Sequence, residues 1–409
     1  MTESHAEAED RPALLVLAST YPRWAGDVEP AFVHELSRRL TDDYAVTALV
    51  PRAPGAADRE VLDGVEVIRY GYAPRPWETL ASGGGGIVAR LKARPLHYLL
   101  LPLFFLGQLR ATYRLLRTRR FRVIHAHWLI PQGLIGLLAC RLARCTPPLV
   151  CTSHGGDLYG LQGPPWRALK RWVLRRAAAV TVVSHAMQTP VQTLCPERPK
   201  PEVAPMGVDL RHRFVPPEAS TAKERQHLLF VGRLVEKKGL DVLLDALARI
   251  TAQGHYPDLR LTVAGGGPLE GALREQAEAL GIAHRVTFKG MVPQDALVPL
   301  YQRAALFVAP FVVAADGDQE GLGLVLVEAA GCGCAIVTTD IPAVWDAIDE
   351  SCATVVPPRD PHALAEALRR LLDDPEAVAR MGQAGADGVR ERFDWETVAC
   401  RYRDILHNA

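Results

Sequence analysis

Short, fully apolar runs recur along the chain, and between them apolar residues return at helical spacing. Residues 13–18 read ALLVLA, the continuous run expected of a strand buried on both faces. A polar loop, STYPRWAGDVEP, follows. Val33, Leu36 and Leu40 then repeat at intervals of three and four, which predicts a helix with Pro30 in its first turn. Further apolar runs at 44–50, 65–70, 121–128, 148–154 and 179–184 are separated by helical patterns. Strands alternating with helices predict a parallel, doubly wound sheet. A Pro-rich stretch, PEVAPMGVDLRHRFVPP at 201–217, reads as a domain boundary. A second series follows, with strands expected at 227–232, 259–265, 285–290, 306–310, 334–340 and 353–358 and helices at 239–252 and 268–280. The pattern therefore predicts a disordered tail at 1–10, one α/β domain at 11–203, a second at 204–384, and a C-terminal helical segment at 385–409 that packs back towards the first. Ligands of parallel sheets bind at the carboxyl ends of the strands, so a cleft between the two domains is the expected site.

Composition changes the picture in one respect. The chain of 409 residues is long enough for two separate cores and carries a net charge of only +1. That balance hides an asymmetry: residues 1–205 hold 26 Lys+Arg against 17 Asp+Glu, and 206–409 hold 21 against 29. No acid occurs between Glu78 and Asp157, a window with eleven basic residues, among them Arg90, Lys92, Arg94, Arg110, Arg114, Arg117, Arg119 and Arg120. Within it LHYLLLPLFFL (96–106) is apolar but too short to span a bilayer, and Pro102 is expected to interrupt it. Arginines on both sides predict an element lying in the interface of an anionic membrane; the competing reading is a core helix with a solvated basic end. Nucleic acid is not an expected partner, because no recognition motif accompanies the charge. The acidic, polar start MTESHAEAEDRP is not a secretory signal, so a cytoplasmic protein, peripheral on the inner face of the cell membrane, is expected. Eight scattered cysteines form no C-x-x-C pairs and read as reduced thiols.

The candidate chemistry concentrates in the second half. Glu320-Gly-Leu-Gly-Leu-Val-Leu-Val-Glu328 places two carboxylates around a glycine-rich helix start. Free amides and the helix dipole there favour a phosphate. Glu320 can take sugar hydroxyls, and Glu328, expected roughly 12 Å further along the axis, a ribose diol. Arg233, Lys237 and Lys238 follow the first strand of the domain in FVGRLVEKKG. A departing nucleoside diphosphate needs such cations when no metal neutralises it. Asp316-Gly-Asp318 has the form of a metal-binding D-x-D, but a surface turn before a helix explains it better, and no metal is expected. Gly265-Gly-Gly-Pro-Leu-Glu-Gly271 is a poor dinucleotide fingerprint, because Pro268 follows at once and no acidic ribose anchor lies at a convincing spacing.

Together, FVGRLVEKKGLDVLLDAL, VAGGGPLE, FKGMVP and the Glu-x7-Glu segment resemble the retaining GT-B glycosyltransferases of family 4, in order and spacing from about residue 200 to 345. The resemblance implies two Rossmann-like domains facing a cleft. It implies retaining transfer from a nucleotide-diphosphate sugar, of UDP or GDP type, to a glycan, lipid or small-molecule acceptor. By the same resemblance Arg233 and Lys238 hold the diphosphate, Glu320 the transferred sugar and Glu328 the ribose. Gly232, Gly265, Gly266, Met291 and the segment Gly321, Leu322, Gly323 and Leu324 line the donor. The first half resembles the family more loosely. Tyr21-Pro-Arg23-Trp-Ala-Gly26-Asp27 occupies the loop after the first strand, with Gly26 near the donor phosphates and Arg23 and Asp27 near the acceptor. His127, in His125-Ala-His127-Trp, matches the family's histidine beside the reacting sugar, with His154 and Asp157 of Ser153-His-Gly-Gly-Asp157 nearby. Where relatives read Asn-Gly-Val-Asp, this chain has Met206-Gly-Val-Asp209. The rival readings are a nucleotide-sugar epimerase on the same fold and a non-catalytic, membrane-docked sugar-nucleotide binder. A pyridoxal-phosphate phosphorylase is disfavoured by the short chain.

Overall fold

The computed structural model describes residues 11–27, 29–81, 87, 95–218, 223–252 and 254–409. The expected tail at 1–10 and the side chains of Arg90, Lys92 and Arg94 lie outside them. The chain divides into two units, 1–206 with 398–409, and 207–397. It crosses between them twice, the second time within a helix.

In the first unit the strands are β1 (Ala13–Leu17), β2 (Ala45–Pro51), β3 (Arg59–Leu62), β4 (Val65–Tyr70), β5 (Val123–His127), β6 (Leu149–Ser153), β7 (Ala179–Val182) and β8 (Glu202–Val203). They form one sheet in the order β3-β4-β2-β1-β5-β6-β7-β8. Leu14–Leu17 are almost wholly inaccessible, as a central strand covered on both faces requires. All neighbours are parallel except β3, which pairs antiparallel with β4 across Asp63-Gly64. Both turn residues have positive φ, +47° and +81°, the conformation of a tight hairpin. The helices include α1 (Phe32–Arg38), α2 (Leu100–Thr118), α3 (Leu134–Ala143) and α4 (Pro164–Arg176).

Helix α2 corrects two expectations. Pro102 does not interrupt it but occupies its first turn, where the missing N–H costs nothing. The helix buries Leu100, Phe104, Gln108, Thr112 and Leu116 as a four-residue stripe, so it is a core element on one face. The other face carries exposed Leu96 and Leu99 just ahead of it, then Leu103 and Leu106, which are 42% and 60% exposed. Arg119, counted above among the solvated arginines, is instead paired with Glu66 at 2.5 Å. Among the described residues no helix is long and apolar enough to cross a membrane.

The second unit holds β9 (Glu224–Val231), β10 (Arg260–Ala264), β11 (Val286–Phe288), β12 (Ala304–Ala309), β13 (Ala335–Thr339) and β14 (Ala353–Val356). They make an all-parallel sheet in the order β11-β10-β9-β12-β13-β14. Its helices are α5 (Leu240–Thr251), α6 (Glu270–Ala279), α7 (Gln294–Arg303), α8 (Leu324–Gly331), α9 (Pro361–Leu372) and α10 (Pro375–Phe393). One core runs from Leu228 and Phe230 through α5 to Leu364 and Leu368 of α9. The last helix, α11 (Trp395–His407), begins in this unit and continues in the first from Val398. There Tyr402 donates to Ala204 O at 2.8 Å.

Candidate functional site

The second unit gathers its cations and carboxylates at the carboxyl ends of β9 and β12. Gly232 N donates to Ala264 O at 3.0 Å and Gly265 N to Gly290 O at 2.8 Å, tying three strand ends together. Gly265 has φ +138°, and a Cβ there would stand 1.9 Å from Gly232 O, so no other residue fits without moving the backbone. Met291, 42% exposed, lies beside Gly266, its Sδ 3.6 Å from where a Cβ would be. Beyond β9 the chain turns through Arg233 to Lys237 and Lys238. Gly239 then enters α5 at φ +65° with Pro310 O so close that a Cβ would lie 1.9 Å away. That close approach brings the β9–α5 loop against the loop after β12.

Ion pairs lock the two loops. Lys238 Nζ lies 2.6 Å from Glu320 Oε2 and 4.6 Å from the centre of the Phe311 ring. Burial lowers the Lys238 pKa, against the pull of Glu320. Burial would raise the Glu320 carboxyl, but Lys238, Lys237 and Arg233 together hold it at about 2. Glu320 is therefore a fixed anion among three cations. Lys237 donates to Asp318 Oδ1 and Gln319 O, both at 3.1 Å. Asp318 of the D-x-D thus holds a lysine, and Asp316 Oδ1 accepts from Asp318 N. No group of three or more metal-ligating side chains occurs among the described residues.

Gly321 and Leu322 are loop residues, and Gly323 stands at φ +80° just before α8 begins at Leu324. Glu328 is thus four positions into the helix, about 6 Å of rise from its start, rather than the two turns the sequence suggested. Its Oε2 accepts from the Tyr301 hydroxyl at 2.9 Å. Burial pushes the Glu328 carboxyl up to about 7, although Tyr301, Lys238 and Arg213 pull against it. Tyr301 is wholly buried on α7, edge-on to Phe307.

In the first unit β5 and β6 end in a histidine pair. His127 Nδ1 lies 3.0 Å from His154 Nε2, and the rings are near parallel with centroids 5.2 Å apart. Phe32 and Trp128 flank His154 at 5.1 and 4.9 Å. His125 bonds Thr152 at 2.8 Å beneath them. Burial lowers both pair members, His154 to about 3, so they act as neutral hydrogen-bonding groups. His127 Nε2 is buried without a partner among the described residues. Asp157 is committed to the backbone: it accepts from Leu129 N at 2.6 Å, Ser153 Oγ at 2.9 Å and His154 N at 3.2 Å. It shapes the two strand-end turns. Arg23 and Asp27 pair with each other across their loop at 2.5 Å, while Gly26 at φ +77° has open space where a side chain would stand.

Residues 31–212 match the family described as Glycosyltransferase Family 4 and residues 214–387 that described as Glycosyl transferases group 1. The chain belongs to glycosyltransferase family 4. It is 30% identical to the GDP-mannose-dependent alpha-(1-6)-phosphatidylinositol monomannoside mannosyltransferase of Mycolicibacterium smegmatis, over 68% of this chain and 74% of that one. It is also 30% identical to the D-inositol 3-phosphate glycosyltransferase of Xylanimonas cellulosilytica, over 92% and 91%. The fold is that of a sucrose-phosphate synthase from Thermosynechococcus elongatus, with a TM-score of 0.77, 21% identity, and coverage of 98% and 100%. The chain is thus a GT-B glycosyltransferase with a nucleotide-sugar donor.

In this family-4 enzyme the structure brings Arg233, Lys238 and Glu320 together, and separately His127 and His154. It turns Asp157 and the Arg23–Asp27 pair inward on their own loops. Tyr301, Phe311 and Trp128 were not singled out from the sequence. Trp128 was in view as the neighbour of His127, but Tyr301 reaches Glu328 from another helix, and nothing in local spacing signals that.

Proposed function

We propose that this glycosyltransferase moves a hexose from a UDP- or GDP-sugar to an acceptor hydroxyl with retention of anomeric configuration. In that reading Gly265, Gly266 and Met291 flank the base, Glu328 accepts from the ribose diol, and Arg233 and Lys238 hold the diphosphate. The observation that carries it is the buried Lys238–Glu320 pair at 2.6 Å beside Arg233. Glu320 is an anion already neutralised by a lysine, which suits it to orient sugar hydroxyls and disfavours it as a nucleophile. The bond from the anomeric carbon to the phosphate oxygen breaks with its electron pair going to the diphosphate. The acceptor oxygen bonds that carbon on the same face, and its proton passes to the departing phosphate oxygen. His127, neutral and with its Nε2 unpartnered among the described residues, is the first unit's candidate for a hydrogen bond to the sugar. Charge compensation by arginine and lysine leaves no step that requires a metal cofactor.

The relatives suggest the acceptor class. One is named for a phosphatidylinositol mannoside and one for an inositol phosphate, so a phosphorylated polyol, lipid-linked or free, is the acceptor we infer, for a role in glycolipid or cell-surface glycan synthesis. The exposed face of α2, with Leu103 and Leu106 followed by Arg110, Arg114 and Arg117, supports peripheral docking on an anionic, cytoplasmic membrane face. Proton NMR of the product made from an α-linked donor tests retention: a β-linked product overturns it. Activity is expected to survive EDTA, and loss that Mg²⁺ or Mn²⁺ restores would overturn the metal-free reading. Formation of an epimerised nucleotide sugar without acceptor would favour the epimerase instead.

A further inference from the structure

Beneath α2, at the ends of β2 and β4, lies a cavity of about 710 Å³, within the range of small-molecule sites. Its wall combines apolar and aromatic side chains, from Leu49 and Ile68 of the strands to Leu115 of the helix, with four arginines, and among the described residues no acid lines it. One strand, β1, separates β2 of its floor from β5. At about 4.8 Å per strand it stands apart from the His127 pair.

Two observations point to its ligand. First, Leu103, Leu106, Arg110 and Arg114 all line it. Their spacing puts them on one side of α2, over about 16 Å of rise. The two leucines are also among the exposed apolar residues, so the apolar surface outside runs without a break into the cavity. Second, neither Arg110 nor Arg114 has an ion-pair partner among the described residues, whereas Arg52 and Arg69 on the strand side are already paired with Asp58 and Glu60. A ligand that suits this wall carries an anionic head for the arginines and an apolar chain for the leucines.

We infer that the cavity under α2 binds one molecule of an anionic phospholipid, its phosphate at Arg110 and Arg114 and its chain along Leu103 and Leu106. This rests on the membrane reading above and adds a defined, saturable site to it. Its lining shares no residue with the donor machinery.

Monomeric dihexanoyl phosphatidic acid, used below its micelle concentration, is the probe, titrated calorimetrically into the full chain. Saturable binding at one site is expected. Arg110→Glu with Arg114→Glu should weaken it at least tenfold. Ala111→Phe, which fills the cavity and leaves every charge in place, should abolish it. Should that variant melt early, Leu106→Glu places an acid at the mouth and serves in its stead. Wild-type affinity in the filled variant overturns the site. Equal binding of dihexanoyl phosphatidylcholine reduces it to an apolar surface, and equal binding of inorganic phosphate to a bare anion site; either result overturns the proposal. Co-sedimentation with anionic liposomes separates this from the broader reading: the filled variant should still sediment, because its surface arginines remain. Failure of wild type to sediment sinks the membrane reading itself.

Discussion

Under the proposed ribose contact, Glu328 makes donor binding depend on pH. Its carboxyl is raised from 4.5 to about 7 by burial, so near neutrality it is divided between acid and carboxylate. Only the carboxylate accepts from both hydroxyls of a diol. The KM for the nucleotide sugar is therefore expected to fall as pH rises from 6 to 8, with kcat changing less. Tyr301→Phe removes a hydrogen bond that favours the ionised form, so the inflection should move to higher pH. Glu328→Gln should erase it. An unchanged inflection in both variants would dismiss Glu328 as the titrating group. The same shift has a stability side. A raised carboxyl pKa favours the fold below 4.5, and that contribution is lost as pH climbs through 7. Without donor, Glu328→Gln should then melt above wild type at pH 8 and lose that advantage near pH 4.5. Arg233→Ala and Lys238→Ala should each lower kcat by about 10²-fold or more, the scale for removing one preorganised charge donor. Near-normal kcat in both would refute the diphosphate assignment. At this scale the sequence showed the charged residues but not their bonds: Lys237 and Lys238 are neighbours in one loop, and only the fold sends one to Asp318 and the other to Glu320.

Elements were legible where one residue type repeats at one period. The run at 65–70 became β4 at those bounds, and the expected strands of the second domain each overlap an observed one. One local signal was passed over and one misread. Asp63-Gly64 between apolar residues is a hairpin signal, yet β3 opens on two adjacent charges, Arg59 and Glu60, and no strand was expected there. Pro102 was taken as a break because its place relative to the helix start was unknown; the same residue in a first turn is benign. The turn at Gly239 decides how the β9–α5 loop meets Pro310. Gly239→Ala keeps the sequence pattern intact, but its Cβ would lie 1.9 Å from Pro310 O, in addition to the strain of a positive φ. The backbone must shift, and Lys238 with it. We expect that variant to lose donor affinity at least tenfold, measured by titration with UDP and GDP, while Gly281→Ala, at φ +72° with open space around it, keeps wild-type affinity. Equal affinities in the two variants would show that the close approach is not what positions Lys238.

For the whole molecule, the charge asymmetry bears on the membrane docking proposed above. The acid-free window places Arg110, Arg114, Arg117 and Arg120 on exposed positions of α2 and just beyond it, next to exposed Leu96, Leu99, Leu103 and Leu106. Each basic side chain near an anionic bilayer is worth about 1 kcal/mol, so several together hold the protein at low salt. Exposed charges are screened within about 10 Å at 0.1 M salt, whereas leucine burial is not weakened by salt. Co-sedimentation with anionic liposomes should therefore fall as salt rises without vanishing. Arg119 is not part of this set, since its bond to Glu66 holds that carboxyl at about 2. Changing it would strip a structural pair and confuse loss of docking with loss of fold. The informative variant is Arg114→Glu, Arg117→Glu and Arg120→Glu together, none of which has an ion-pair partner among the described residues. It should abolish sedimentation and leave the melting temperature within a few degrees of wild type. Leu103→Ser with Leu106→Ser should instead spare binding at low salt and remove the salt-resistant remainder. If wild type ignores anionic liposomes at low salt, the exposed leucines of α2 belong to some other contact, and a free phosphorylated polyol becomes the acceptor to test.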